Sequence, residues 1–193
     1  KITMFRPEEH SMVYCAIPYA IEGLFEPHKT FKRNELVTDK GIDLVQRTVV
    51  KVDLHAKRVI DKTGDIYTAD VIFIATGAKP IVPPLPGADA DNIYTVKTQE
   101  NMEAIIANIK NGAKRAIVIG AGAIGIEQAQ AYHSHGMDVY LIDMASRVLP
   151  AMIDEDMADI LHKILLEKGI KLILSNRVNR IEKEGNLAKR IVL

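Results

Sequence analysis

The chain has 193 residues, 48% hydrophobic and 26% charged, with lysine plus arginine matched to aspartate plus glutamate at 25 each. Such a composition excludes disorder and collagen-like structure and supplies a core for one large domain or two small ones. With zero formal net charge, no basic excess exists to neutralise phosphates or hold an anionic membrane, so neither nucleic acid nor a membrane is expected as a partner.

Lys1 to Phe5 reads as a strand that begins without a signal-peptide pattern, an initiator methionine or a preceding glycine-rich turn, and a fragment of a longer chain is expected. The single cysteine, Cys15, allows no internal disulfide, which gives secretion no support and makes a cytoplasmic protein the expectation. Cys15 to Leu24 reads as a helix with Pro18 in its first turn and a stop near Gly23. Glu26 to Asn34 is polar and reads as a surface loop. Thr48 to Val52, Lys57 to Ile60 and Ile66 to Thr68 are β-branched runs forming an antiparallel meander, with a hairpin turn at Thr63-Gly64-Asp65. Val71 to Ala75 has the continuous apolar character of a strand buried on both faces, ending at Thr76-Gly77.

Four prolines between Lys79 and Gly87 predict an interdomain linker, with domains at 1–84 and 85–193. Met102, Ile105, Ile106 and Ile109 line one face of a helix that Thr98 can cap. Strand and helix then alternate: strand Ala116 to Ile119, helix Ile124 to Ser134, strand Val139 to Ile142, a helix lined by Met157, Ile160, Leu161, Ile164 and Leu165 and closing at Gly169, and strand Ile170 to Leu174. This βαβαβ order predicts an α/β Rossmann-like parallel sheet beside the meander. The most apolar stretch, Ala116 to Ile126, is 11 residues long, well short of the roughly 20 that span a bilayer.

Gly120-Ala121-Gly122-Ala123-Ile124-Gly125 lies between a predicted strand and a predicted helix, the context in which such a pattern binds a dinucleotide. Gly120 permits the tight turn, Gly122 admits a pyrophosphate to the backbone, and Gly125 lets helix and strand approach, while the helix N-terminus faces the anion. Asp143 ends the following strand 18 residues after Gly125, where a carboxylate accepts hydrogen bonds from the adenosine ribose and repels a 2′-phosphate. NADH is therefore favoured over NADPH; Arg147 alone points the other way. A glycine-rich turn of another Rossmann-like protein, such as a methyltransferase, is the competing reading.

Gly120 to Glu127, together with Ile74-Ala75-Thr76-Gly77 and Ser11-x-x-x-Cys15-x-x-Pro18-Tyr19, resembles the pyridine nucleotide-disulfide oxidoreductases. The resemblance is strongest to their single-cysteine branch of NADH oxidase, NADH peroxidase and coenzyme A-disulfide reductase. It implies the middle part of an FAD domain over residues 1–84 and an NAD domain over 85–193 lacking its last strand, within a homodimeric flavoprotein. Hydride passes in that family from nicotinamide to flavin, and the flavin reduces a cysteine on its other face. The resemblance implies that Cys15 is the redox thiol, that Glu127 lies near the nicotinamide, and that Ser11 and the turn Ala75, Thr76, Gly77 lie beside FAD. It departs from the family at Phe5, where relatives carry an acid for the FAD ribose, and at Ala123, where oxidases and peroxidases carry an aromatic gate.

Each residue also has a plainer reading. A free cysteine such as Cys15 often only fills space, although its place at a predicted helix N-terminus favours the thiolate that attacks disulfides and peroxides. Glu127 in the first turns of a helix is stabilised by the helix dipole with no ligand present. Lys29, Lys32 and Arg33 either meet the phosphates of coenzyme A or form a solvated loop. His133 and His135 are two apart and point to different helix faces, so no metal site is expected. The leading expectation is an FAD-dependent NADH oxidoreductase that delivers electrons through Cys15 to a disulfide, a peroxide or oxygen. The alternative is an NAD(H)-binding module with a structural cysteine and no chemistry of its own.

Overall fold

The computed structural model describes residues 1–193. In chain order its elements are β1 (Ile2–Phe5), β2 (Ser11–Met12), α1 (Ile17–Glu22), β3 (Phe31–Lys32), α2 (Glu35–Thr38), β4 (Ile42–Val45), β5 (Val49–Asp53), β6 (Arg58–Asp61) and β7 (Ile66–Thr68). They continue with α3 (Gln99–Lys110), β8 (Arg115–Ile119), α4 (Ala123–Ser134), β9 (Asp138–Ile142), α5 (Glu155–Glu167), β10 (Lys171–Ile173), β11 (Arg180–Glu184) and β12 (Leu187–Val192). The chain divides into two compact units, one of Lys1–Val13 with His28–Ala78 and one of Tyr14–Pro27 with Lys79–Leu193. The stretch Tyr14–Pro27 thus groups with the second unit, whereas the sequence pattern assigned everything before residue 85 to one domain.

In the first unit β1 pairs in parallel with β4, Ile2 beside Ile42 and Phe5 beside Val45. The meander forms as its β-branched runs predict, with β6 antiparallel to both β5 and β7. Asp61 ends β6 with its side chain wholly buried. It accepts from the Thr63 hydroxyl at 2.6 Å, from the Thr63 and Asp65 amides, and from Arg47 at 3.0 Å. The hairpin turn is therefore built around one satisfied buried carboxylate. Two expectations are corrected. Val71 to Ala75 forms no strand and is largely exposed, with Phe73 at 90% relative exposure; an apolar run becomes a buried strand only where strands flank it, and none pairs with this one. The segment read as a loop at 26–34 contains a 3-10 turn, Pro27–Thr30, the short β3 paired with β2, and a fully buried Thr30.

In the second unit the alternation of strand and helix builds a parallel sheet of order β10-β9-β8. Its core gathers Ala129 of α4, Val139 and Leu141 of β9, Val148, Ala158 and Leu165 of α5, and Ile170. Thr98 caps α3 by accepting from the Asn101 amide at 3.3 Å. The β11–β12 hairpin, turning at Gly185-Asn186, was not anticipated from the sequence. Ile181 of β11 packs with Val178 and Ile142, and its amide donates to the Pro86 carbonyl at 2.8 Å. That close approach requires Gly87, where a Cβ would lie 2.0 Å from the Ile181 carbonyl oxygen at a φ of +83°. No helix is long and apolar enough to cross a membrane.

Candidate functional site

The six residues from Gly120 to Gly125 form the turn that joins β8 to α4 and the first residues of that helix. Gly120 has a φ of +111°, which admits glycine and little else, and its amide donates to the Ile142 carbonyl at 2.8 Å. A Cβ on Gly125 would lie 1.8 Å from the Gly120 carbonyl oxygen, so the helix approaches the strand as closely as a missing side chain allows. At Gly122 the situation is reversed. This residue is exposed, extended at φ −78° and ψ −178°, and a Cβ there meets nothing within 4 Å. The two glycines serve different constraints: Gly125 is dictated by packing inside the chain, and Gly122 is dictated by nothing inside it.

Gly122 is also the N-cap of α4, and no side chain caps the helix. The amides of Ala123, Ile124 and Gly125 head α4 without intrahelical partners, which is the donor arrangement that receives an anion. Ala121 is fully buried and held from both sides. Its amide donates to Asp143 Oδ2 at 2.6 Å, and its carbonyl accepts from the Leu149 amide at 2.9 Å. Asp143 also accepts from the Ala145 amide through Oδ1 at 2.7 Å. Each carboxylate oxygen keeps a lone pair free, so Asp143 fixes the glycine turn and still offers acceptors at the end of β9. Leu149 holds a left-handed φ of +48°, a conformation that costs a non-glycine residue about 1–2 kcal/mol and that its bond to Ala121 helps to hold. Arg147 donates to the Pro150 carbonyl at 3.0 Å, turned into its own loop, where a cleft of about 380 Å³ is lined by Arg147, Pro150, Met152, Asp154 and Met157.

Cys15 is exposed and lies in the 3-10 turn Tyr14–Ala16 that leads into α1. The sequence reading placed it at the start of one longer helix; α1 itself begins at Ile17 and has six residues, with Pro18 in its first turn and Gly23 closing it at φ +89°. On the residue before it, the Lys97 ammonium sits 3.7 Å from the centre of the Tyr14 ring. Helix α1 packs on α4, where the Tyr19 hydroxyl donates to Glu127 Oε1 at 3.4 Å and the His135 Nε2 to the Ile21 carbonyl at 2.7 Å. The second unit therefore carries Cys15, Glu127, the glycine turn and Asp143, with Asp143 bonded to the turn and Tyr19 of the helix after Cys15 bonded to Glu127. Tyr19 and Lys97 are additions that sequence reasoning did not single out for their contacts.

In the first unit Ser11 pairs through its hydroxyl with Arg6, which also binds Asn34. Ala75, Thr76 and Gly77 are exposed, Gly77 at a φ of +69°. Phe5 packs edge-to-face on Tyr67, ring centres 4.8 Å apart. Lys29, Lys32 and Arg33 are exposed.

With the geometry in place, comparison with known families returns a match to the family described as pyridine nucleotide-disulphide oxidoreductase across residues 1–193. The chain belongs to that family. Among related family members, an NADH oxidase of Methanocaldococcus jannaschii is 37% identical over 189 residues, covering 93% of this chain and 42% of that one. The chain thus spans under half the length of that relative. A structure of an NAD-dependent persulfide reductase from A. fulgidus superposes with a TM-score of 0.89 at 32% identity, covering 100% of this chain and 37% of the other. The water-forming NADH oxidase of Lactobacillus brevis bound to NADH matches at a TM-score of 0.84 and 29% identity, over 96% of this chain and 43% of the other. An engineered mutant of that enzyme, an NADPH oxidase bound to NADPH, matches at 0.83 and 29%, over 95% and 42%.

Proposed function

We propose that this chain carries the NADH site and the redox thiol of an FAD-dependent NADH oxidoreductase that acts on a sulfur–sulfur bond, with the domain holding NADH in the second unit. The observation that carries the reading is the pairing of an open Gly122 with an uncapped α4 and an acceptor-rich Asp143. The diphosphate would lie over Gly122 and take the amides of Ala123 to Gly125, and the adenosine ribose would donate to Asp143. Preference for NADH over NADPH is supported by that carboxylate and by Arg147 being engaged with Pro150. Spacing adds to it: the residues changed to make the NADPH-using Lactobacillus brevis mutant include a glycine, an aspartate 18 residues later and a proline 7 beyond, the spacing of Gly125, Asp143 and Pro150.

FAD, when bound, supplies the acceptor for hydride on one face and the electron pair for sulfur on the other. In this chain Ser11 and the exposed turn Ala75 to Gly77 would lie against it, and the open backbone of that turn fits such a ligand. Glu127 would sit at the nicotinamide end and Cys15 at the sulfur end. The net reaction consumes NADH, one proton and a disulfide and yields NAD⁺ and two thiols. A relative named for persulfide reduction supports a sulfur acceptor, coenzyme A disulfide or persulfide being one fit to a lone thiol, and a water-forming relative makes oxygen the second acceptor to assay. The test is anaerobic mixing of the FAD-loaded protein with NADH. Bleaching of the flavin supports the proposal; NADH binding by a protein that takes up no flavin supports the binding-module reading instead.

A further inference from the structure

Glu127 stands two residues beyond Gly125, in the second turn of α4, and is half-buried. It makes no ion pair, and its carboxylate has one hydrogen-bond donor in this chain, the Tyr19 hydroxyl at 3.4 Å. Tyr19 lies four residues after Cys15 on α1 and is itself 42% exposed, so its ring is not held there by burial. Two further polar contacts run along the same helix pair, Gln130 Nε2 to Glu22 Oε1 at 3.4 Å and His135 Nε2 to the Ile21 carbonyl at 2.7 Å. They set the level of α1 along α4, and that level is what brings the phenol to the carboxylate.

A glutamate side chain left to itself samples many rotamers. One donor on one oxygen selects among them and leaves the other oxygen free. We propose that Tyr19 is a positioning residue for Glu127: its hydroxyl holds the carboxylate toward the nicotinamide of NADH bound at the glycine turn, and it ties that carboxylate to the segment that carries Cys15. The inference rests on the placement of Glu127 near the nicotinamide given above. The phenol acts through Glu127, its hydrogen-bond partner in this chain.

The test compares Tyr19→Phe, Glu127→Gln and the double variant in the FAD-loaded protein, by the rate of flavin reduction by NADH, the NADH dissociation constant and the melting temperature. The carboxylate carbon resonance of Glu127, identified by its loss in Glu127→Gln, is followed in the unloaded chain. Tyr19→Phe is expected to slow reduction about tenfold, to leave the dissociation constant within about twofold, to move the Glu127 resonance, and to add nothing in the Glu127→Gln background. If Glu127→Gln slows reduction and Tyr19→Phe leaves both rate and resonance unchanged, the role of Glu127 stands and that of Tyr19 is overturned. Equal slowing by Tyr19→Phe in both backgrounds overturns it too, because the phenol then acts independently of the carboxylate. If Glu127→Gln itself has no effect on the rate, the placement of Glu127 at the nicotinamide falls, and the proposal falls with it.

Discussion

Replacing Gly122 with valine separates a ligand constraint from a folding constraint. The new Cβ would meet nothing within 4 Å, and φ −78° with ψ −178° is extended backbone that valine adopts readily. Glycine is a modestly better N-cap than an aliphatic residue, a loss of a few tenths to 1 kcal/mol, and stiffening of the unfolded chain returns a similar amount. The expected change in stability is therefore within about 0.5 kcal/mol. NADH should fare differently, because its diphosphate would occupy the space the side chain enters. Pushing it off two amides at the head of α4 removes two charge-assisted hydrogen bonds of about 1.5–3 kcal/mol each, or roughly a hundredfold or more in affinity. Gly125→Ala is the contrasting control: a Cβ placed 1.8 Å from the Gly120 oxygen crowds the packing of helix on strand and should lower the melting temperature. Calorimetric titration with NADH and thermal melts of both variants decide the matter. Gly122→Val binding NADH within threefold of the parent, at an unchanged melting temperature, would refute the assignment of the turn.

Asp143→Ala should weaken NADH more than NADPH in paired titrations and, by freeing the Ala121 and Ala145 amides, also cost about 1–3 kcal/mol of stability. Gln128 is buried at 2% exposure with neither amide atom partnered, so Gln128→Met should stabilise the second unit by about 1–3 kcal/mol in denaturant melts; a loss of stability would show that the amide is satisfied in solution. The Asp61 carboxyl is held well below the ordinary carboxylate range, first by the Thr63 hydroxyl and then by Arg47, against the opposing effect of burial. Because the folded value is depressed, its stabilisation is complete above the unfolded carboxylate range near pH 4 and is lost as pH falls toward the folded value. Circular dichroism melts should show the first unit weakening below about pH 4, with a shallower dependence in Asp61→Asn.

Much of this was legible in the sequence because it depends on local rules. The glycine turn announces itself through spacing between a strand and a helix, the meander through β-branched runs around Thr63-Gly64-Asp65, and α3 through an apolar face with Thr98 ahead of it. What escaped depends on neighbours. Val71 to Ala75 carries the composition of a buried strand, but burial is conferred by flanking strands and not by composition. The β11–β12 hairpin hides its turn at Gly185-Asn186 among charged residues that face solvent. The site divides in the same way. Asp143 could be placed at the end of its strand by counting, yet its bonds to Ala121 and Ala145 fix the glycine turn itself and come only from the folded geometry. The contact between Tyr19 and Glu127 joins residues 108 apart in the chain, which no periodicity connects.

The route of electrons through Cys15 is the central claim, and Cys15→Ser in the FAD-loaded protein tests it by separating two half-reactions. Stopped-flow mixing with NADH should still bleach the flavin at the parent rate, since in the proposed reaction that step would use the glycine turn and Glu127 and not the thiol. Reoxidation by a disulfide or persulfide should be abolished, and any remaining turnover should require oxygen. Undiminished turnover of Cys15→Ser with disulfide, persulfide, peroxide and oxygen alike would contradict the account and leave Cys15 a structural residue.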